Sequence, residues 1–251
     1  MNKKIKFNLK TSADENTVDN RNTLGEMLQK SPIPTNEIGA NLPLYMERMH
    51  LSRMLLIHDL YKNILSVPGS VFEFGIRWGA SMAMFNNFRG MYEPYNYSRK
   101  IVGFDTFEGF VGTSEKDGVQ NSEGNYSVSG SYELHLSEIL KVHENMSPLP
   151  HIKKWDIIKG DASITLAKYL KDKPETIISL AYFDFDIYKP TKDCLQLVMK
   201  NVTKGSIIVF DELNSEIFPG ETEAFKEVIG SYNVKLKRDI NNPLVAWFVV
   251  D

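Results

Sequence analysis

Four acidic side chains follow two apolar runs of the sequence and together could bind a cation. The run TIISLAYF leads into the triplet DFD with Asp184 and Asp186, and the run GSIIVF leads into Asp211 and Glu212. If the two runs are neighbouring strands, the four carboxylates converge, which a protein tolerates only around a cation or with raised pKa values. Ligands that are all oxygen favour Mg²⁺ or another hard divalent ion over zinc. A solvated acidic rim is the simpler alternative.

Three other segments carry residues that suit a ligand containing a nucleoside. In FEFGIRWGAS, Gly75 and Gly79 would let the backbone pass close to a ligand, although such turns often need glycine for steric reasons alone. Asp105 in GFDTFEGF could accept both hydroxyls of a ribose or cap a helix. Asp161 in IIKGDASITL could meet an adenine amino group or cap the helix that follows it.

Alternating β-rich and helical runs would bring these residues to one edge of a sheet. The β-rich runs are VFEFG, KIVGFD, WDIIKGD, TIISLAYFD, GSIIVFDE, NVKLKR and LVAWFVV. Helical stretches separate them except for the last two, which predicts an α/β fold with a doubly wound, mostly parallel seven-stranded sheet and an antiparallel edge hairpin. Ligands of such sheets bind beyond the carboxyl ends of the strands.

The remaining segments predict an arm, a helix and a lid. Residues 1–42 are polar and rich in Asn, Lys and Thr, which indicates an N-terminal arm that orders on binding or in a homo-oligomer. Apolar residues recur at helical spacing over 43–65, and 43–251 is predicted to form a single domain. The insertion 107–150 is rich in Gly and Ser in its first half, and we expect a lid over the substrate there.

Composition narrows the class of partner. The 251-residue chain carries a net charge of −3, which gives no support for a nucleic-acid partner or an anionic membrane. Cys194 is the only cysteine, so an intrachain disulfide or a thiolate metal cluster cannot form. No apolar run approaches the roughly 18 residues that span a bilayer. We therefore expect a cytoplasmic protein that acts on a small molecule, without membrane insertion.

The motifs together resemble the macrocin O-methyltransferase family, a group of class I methyltransferases that are metal-dependent and act on sugars. The resemblance covers roughly Leu44 to Val250 and rests on YMERMHLSRM, EFGIRWGAS, GFDTFEGF, KGDAS, DFDIYKPT and FDELNSEIFPGETEAF. It implies a Rossmann-like fold and transfer of a methyl group from S-adenosylmethionine to a deoxysugar hydroxyl, in a nucleotide-sugar, glycoside or surface polysaccharide. Another chemistry on the same scaffold, as in oxygenase-associated relatives, and a non-catalytic nucleotide-binding or assembly protein are the alternatives.

The resemblance also implies site residues. Those implied for the methyl donor are Met49, Glu73, Gly75, Arg77, Gly79, Asp105, Thr106, Phe107, Asp161 and Ala162. Those implied for Mg²⁺ are Asp184, Asp211 and Glu212, and Asp186 matches a proposed general base. A lid histidine, His135 or His143, is the competing base, since an imidazole pKa suits proton transfer.

Two departures from the family pattern concern the acid cluster. Glu212 stands where the family often has aspartate, and Ile187 stands where some relatives carry a histidine base. A third lies in the glycine turn, where this chain has RWGA instead of the frequent WRGG.

Overall fold

The computed structural model describes residues 13–251, and its centre is one sheet of seven strands. In chain order the strands are β1 (Ser70–Phe74), β2 (Ile101–Asp105), β3 (Trp155–Lys159), β4 (Ile178–Phe183), β5 (Val202–Phe210), β6 (Lys237–Arg238) and β7 (Ala246–Val249). Their order across the sheet is β3-β2-β1-β4-β5-β7-β6. The first five strands run parallel, and β7 is antiparallel to both β5 and β6. The predicted fold class and its edge hairpin are confirmed.

Helices connect the parallel strands and precede the first one. Within residues 13–251 they are α1 (Glu15–Gln29), α2 (Thr35–Asn41), α3 (Arg48–Asn63), α4 (Ala80–Tyr92), α5 (Tyr132–Asn145), α6 (Ala162–Asp172), α7 (Tyr188–Val198) and α8 (Pro219–Val228). The helix expected over 43–65 begins only at Arg48, because a 3₁₀ turn (Leu42–Tyr45) and an extended Met46 precede it. None of these helices has the length and apolar character needed to cross a membrane.

Two hydrophobic clusters fill the two faces of the sheet. Successive side chains of a strand point to opposite faces, so Leu180 and Tyr182 of β4 join the cluster that packs against α3, α4 and α5. Ala181 and Phe183 join the cluster that packs against α6, α7 and α8. The same alternation in β1 places Glu73 on the face covered by α3.

The predicted N-terminal arm is helical where the structure describes it. Residues 1–12 lie outside the described residues, and neither α1 nor α2 contains a buried residue. An ion pair of 2.8 Å between Arg21 and Glu47 ties α1 to the residue before α3. The division into an arm, a single domain and a lid stays a prediction.

Gly75 ends β1 at a point where the backbone after β4 passes very close. Its φ is +85°, and a Cβ atom built there would lie 2.0 Å from the carbonyl oxygen of Asp184. Both the left-handed conformation and the close approach therefore require glycine.

We expect Gly75→Ala to lower the free energy of unfolding by about 2 kcal/mol or more, because left-handed geometry alone costs a side chain roughly 1–2 kcal/mol. Urea unfolding measures the change. Gly39→Ala in α2 is the control, since nothing lies within 4 Å of its added Cβ. Equal stability of the two variants would contradict the steric argument.

Candidate active site

A cavity of about 450 Å³ opens at the carboxyl ends of the five parallel strands. It includes the point between β1 and β4 where the strand order reverses, which is where ligands of such sheets bind. The insertion 107–150 supplies part of its wall through Phe110 and Tyr126. The wall residues that end or follow the five strands include Gly75, Asp105, Gly160, Asp184 and Asp211.

Four stacked phenylalanine rings lie directly below the cavity, near the ends of four neighbouring strands. Register pairs Phe74 with Phe104 on one side and with Phe183 on the other, and pairs Phe183 with Phe210. Successive ring centroids lie 5.2, 4.7 and 5.4 Å apart. Because the four phenylalanines are aligned across the sheet, the residues that follow them are aligned as well and lie at the same edge of the cavity. Those residues are Asp105, Gly75, Asp184 and Asp211.

Glu73 offers an unsatisfied carboxylate oxygen to the cavity. The side chain is 1% exposed, and its Oε2 atom is buried with no hydrogen-bond partner. Burial, reinforced by the nearby Asp184 carboxylate, raises its pKa well above the usual range. A buried acceptor of this kind fits a cationic ligand group, such as the ammonium of an amino-acid moiety.

Backbone groups hold the Asp105 carboxylate in place. One oxygen accepts a hydrogen bond of 2.7 Å from the Arg77 amide, and the other accepts one of 2.6 Å from the Phe107 amide. Burial raises the pKa of Asp105, although these backbone donors act in the opposite direction. Each carboxylate oxygen accepts up to two hydrogen bonds, so the carboxylate keeps capacity for a ribose hydroxyl.

Asp161 fulfils one of its two expected roles in the structure. It is the N-cap of α6, where its side chain accepts a 2.9 Å hydrogen bond from the Ser163 amide. It also lines the cavity together with Ala162, so the adenine role stays compatible with the helix cap.

The structure brings most of the implied donor residues together, with two exceptions. The residues that line the cavity are Glu73, Gly75, Arg77, Gly79, Asp105, Thr106, Asp161 and Ala162. Met49 is not among them: its side chain is 56% exposed, and its sulfur accepts a hydrogen bond from Arg21 at 3.1 Å. Phe107 is buried in the hydrophobic core, so only its backbone amide serves the site, through Asp105.

The acid cluster does converge, and the cation that meets it is a guanidinium. Arg53 of α3 donates to Asp184 Oδ2 at 2.8 Å and to Asp211 Oδ1 at 2.7 Å. The hydroxyl of Tyr182 donates to the same Asp211 oxygen at 2.5 Å. Arg53 thus bridges the ends of β4 and β5, and the simpler alternative of a solvated rim does not describe this site.

Raised pKa values accompany the bridge. Burial, with added repulsion from Asp211, raises the pKa of both Asp184 and Glu212 to about 7. Burial and the Asp184 carboxylate raise the pKa of Asp186 well above the usual range. The surroundings of Asp186 therefore raise the proton affinity of its carboxylate, which is the direction that a general base requires.

The expected alternative bases lie elsewhere. His135 is exposed and lies against the ring of Tyr132 at a centroid distance of 5.7 Å, and His143 lies in the last turn of α5. Neither lines the cavity, whereas Asp186 does. Of the three candidates, Asp186 alone has access to a ligand there.

Two residues of the site were not singled out from the sequence. Arg53 lies within YMERMHLSRM and Glu221 within FPGETEAF, both of which carried the resemblance. Glu221 is fully buried, and its carboxylate accepts backbone hydrogen bonds from Phe185, Asp186 and Glu212. Nothing in either motif indicates which strand ends these side chains reach.

Comparisons with known proteins match almost the whole chain. The macrocin-O-methyltransferase (TylF) family model matches residues 5–246. A crystal structure of CalS11, a calicheamicin methyltransferase, is 36% identical, covers 99% of this chain and 98% of its own, and superposes with a TM-score of 0.92. The apo structure of CalS11, described as a TDP-rhamnose 3'-O-methyltransferase of calicheamicin biosynthesis, is also 36% identical, covers 95% and 96%, and gives 0.85.

A more distant structure shares the fold alone. The O-methyltransferase NovP is 15% identical, covers 79% of each chain and gives a TM-score of 0.54. A sequence comparison with curated proteins found no match.

The raised pKa values predict how stability depends on pH. The pKa of Asp184 and Glu212 is about 7 in the folded protein, against values near 4 in the unfolded chain. Between pH 4 and 7 the folded state therefore binds more protons, and the free energy of unfolding falls as the pH rises through this window.

We expect Asp184→Asn to reduce that fall by about 2 kcal/mol in urea unfolding at a series of pH values, since each unit of pKa shift corresponds to about 1.4 kcal/mol. Asp193→Asn, a neutralisation on the surface of α7, should keep the wild-type pH dependence. A wild-type fall in Asp184→Asn would contradict this prediction.

Proposed function

Since the chain belongs to the macrocin-O-methyltransferase family, we propose that it methylates one hydroxyl of a nucleotide-linked deoxysugar with the help of a divalent ion. It is an S-adenosylmethionine-dependent O-methyltransferase, and sugar O-methylation is the activity that its family and the CalS11 structures support. The observation that carries the proposal is that one cavity contains two separate groups of acidic side chains, Glu73 and the cluster around Asp184. The unsatisfied Glu73 oxygen suits the donor's ammonium, and the cluster around Asp184 suits a hydroxyl that must lose a proton.

The acceptor part of the proposal rests on CalS11 and on the character of the cavity wall. CalS11 is described as acting on TDP-rhamnose, a nucleotide-linked deoxysugar. Phe110, Ile187 and Phe218 form a small apolar cluster with Tyr126 packed against it. All four residues line the cavity. Such a wall suits the apolar face and methyl group of a deoxysugar better than a fully hydroxylated one.

The donor set for a divalent ion fits by its chemistry. Asp184, Asp211 and Glu212 supply only oxygen ligands, and Glu212 Oε2 is buried without a hydrogen-bond partner. Among residues 13–251 no group of three His, Cys, Asp or Glu side chains is arranged to hold a metal ion. Arg53 lies between Asp184 and Asp211 and pairs with both. A divalent ion held there would lower the pKa of the acceptor hydroxyl and fix its oxygen.

The residues of this chain supply the remaining steps of the proposed reaction. Glu73 and Asp105 hold the donor on either side of its sulfur, at the ammonium group and at the ribose, so that its methyl group faces the acid cluster. The acceptor oxygen forms a bond to the methyl carbon as the bond from that carbon to sulfur breaks. Asp186 takes the hydroxyl proton, and S-adenosylhomocysteine leaves. The cytoplasmic location and the homo-oligomer expected from the sequence stay predictions.

The activity is tested with labelled S-adenosylmethionine, Mg²⁺ and a panel of nucleotide-linked deoxysugars, with the free sugars and glycosides as comparison. We expect a methylated nucleotide-sugar, no product in EDTA, and recovery of activity when Mg²⁺ is added back.

Asp186→Asn should lower kcat by about 10²-fold or more and keep the affinity for the donor, because a positioned base contributes that much. Asparagine also tolerates the left-handed backbone of residue 186, whose φ is +62°. Full activity in EDTA, or a free sugar as the better acceptor, would contradict the corresponding part of the proposal.

Metal binding should require Arg53 to withdraw from the acid cluster. A guanidinium and a divalent ion on the same two carboxylates repel each other by several kcal/mol when partly buried. We therefore expect Arg53→Gln to bind Mn²⁺ at least about tenfold more tightly than the wild type in calorimetry or by electron paramagnetic resonance, without donor or acceptor.

Arg48→Gln is the matched control for this measurement. Arg48 lies on the same helix and is exposed, so its loss changes the net charge equally without freeing Asp184 or Asp211. Equal Mn²⁺ affinity of the two variants would show that Arg53 does not compete with the ion.

A further inference from the structure

Glu221, in the first turn of α8, joins the two turns that carry the acid cluster. Its Oε1 atom accepts hydrogen bonds from the amides of Phe185 and Asp186, at 3.1 and 3.2 Å. Its Oε2 atom accepts one from the amide of Glu212, at 3.1 Å. The first two amides follow β4 and the third follows β5, so one side chain ties together the ends of two strands.

A carboxylate at this position is electrostatically unfavourable and therefore needs a reason. Glu221 is fully buried, and burial together with Asp184 and Asp211 raises its pKa well above the usual range. Three backbone donors offset the desolvation of its two oxygens. Glutamine would offer one accepting oxygen and an NH₂ group that cannot accept, so it could not serve both turns.

The turn after β4 is also strained and must be held. Asp186 has a φ of +62°, in the left-handed region that non-glycine residues rarely adopt. Gly220 lets α8 approach this turn closely, because a Cβ there would lie 2.5 Å from the Tyr188 amide nitrogen. The start of α8 is thus packed directly against the segment that presents Asp186.

Glu221 itself does not face the reactants. It is absent from the cavity wall, whereas Asp184, Asp186 and Glu212 are part of it. Both of its oxygens are engaged by backbone amides, so any effect on the reaction acts through the residues whose amides it holds.

We propose that Glu221 is a positioning residue that fixes Asp186 relative to Glu212 by clamping the turns after β4 and β5. This inference rests on the proposed function for the roles of Asp186 and Glu212. A displacement of about 1 Å in a reacting group can cost about 10²-fold in rate, so loss of the clamp should be visible in kcat.

The test compares Glu221→Gln with Glu223→Gln, a change on the same helix at a half-exposed side chain that pairs with Lys226. Hydrogen exchange followed by mass spectrometry reports on the amides of 184–188 and 211–214. Calorimetry reports on the affinity for S-adenosylmethionine. In Glu221→Gln we expect at least about tenfold faster exchange in one or both turns and a fall in kcat of about 10²-fold. The affinity for S-adenosylmethionine should stay within about twofold, and Glu223→Gln should match the wild type.

A second variant keeps the proposal testable if Glu221→Gln does not fold. Thr222 Oγ1 accepts a 2.9 Å hydrogen bond from the amide of Asn214, so the next residue of α8 holds only the turn after β5. Thr222→Val should speed exchange in 211–214 and leave 184–188 protected.

Three results would overturn the inference. The first is unchanged hydrogen exchange in both turns of Glu221→Gln, and the second is faster exchange with an unchanged kcat. The third is a loss of donor affinity as large as the loss of kcat, because such a result would indicate a general structural role. For Thr222→Val, faster exchange in 184–188 would also overturn the inference, because the turn after β4 would then depend on Thr222 and not on Glu221 alone. A wild type that methylates no acceptor would refute the proposed function instead, and the exchange data would still show whether Glu221 holds the turns.

Discussion

The crowding of carboxylates at the ends of β4 and β5 is the constraint on which the rest of the site depends. Asp184, Asp186, Asp211 and Glu212 meet there with Glu221 close behind, and each raises the energy of ionising its neighbours. The protein answers this repulsion in three ways. The guanidinium of Arg53, on α3, pairs with two of the carboxylates, and backbone amides donate hydrogen bonds to the buried Glu221 carboxylate. Several carboxyl groups, such as that of Glu212, also have raised pKa values.

The sheet makes that crowding unavoidable. Phe74, Phe104, Phe183 and Phe210 stand abreast, and their stacked rings fill the core at one level. A one-residue slip of any of these strands would turn its side chains to the other face and break both the stack and the site. The apolar packing that stabilises the fold therefore also fixes which residues follow at the cavity floor.

The sequence was sufficient for what depends on short-range pattern. Strand and helix alternation indicated the α/β sheet and its edge hairpin, and the apolar runs before DFD and DEL indicated that their carboxylates would converge. It also indicated that the carboxylates need a cation or raised pKa values unless they form a solvated rim, but not that a cation is supplied by Arg53, which lies 131 residues from Asp184. Contacts of that kind depend on how α3 docks on the sheet, and no local spacing encodes it. Met49 shows the same limit in reverse, since its helix was expected, but its side chain lies against Arg21 and is not part of the cavity wall.

The two halves of the cavity are held by different means, and this difference bears on how each half can respond to a ligand. The backbone amides of Arg77, in the glycine turn, and of Phe107 hold the Asp105 carboxylate, so it can move only if one of these backbone segments moves as well. In the acid half, a long side chain bridges Asp184 and Asp211 from a helix whose buried residues, Leu56, Ile57, Leu60 and Tyr61, all lie beyond Arg53. Rotation about side-chain bonds releases such a bridge without disturbing the sheet. Under the proposed function, the half that would bind the donor is fixed by backbone contacts, and the Arg53 bridge is the contact that a divalent ion would replace in the acid half.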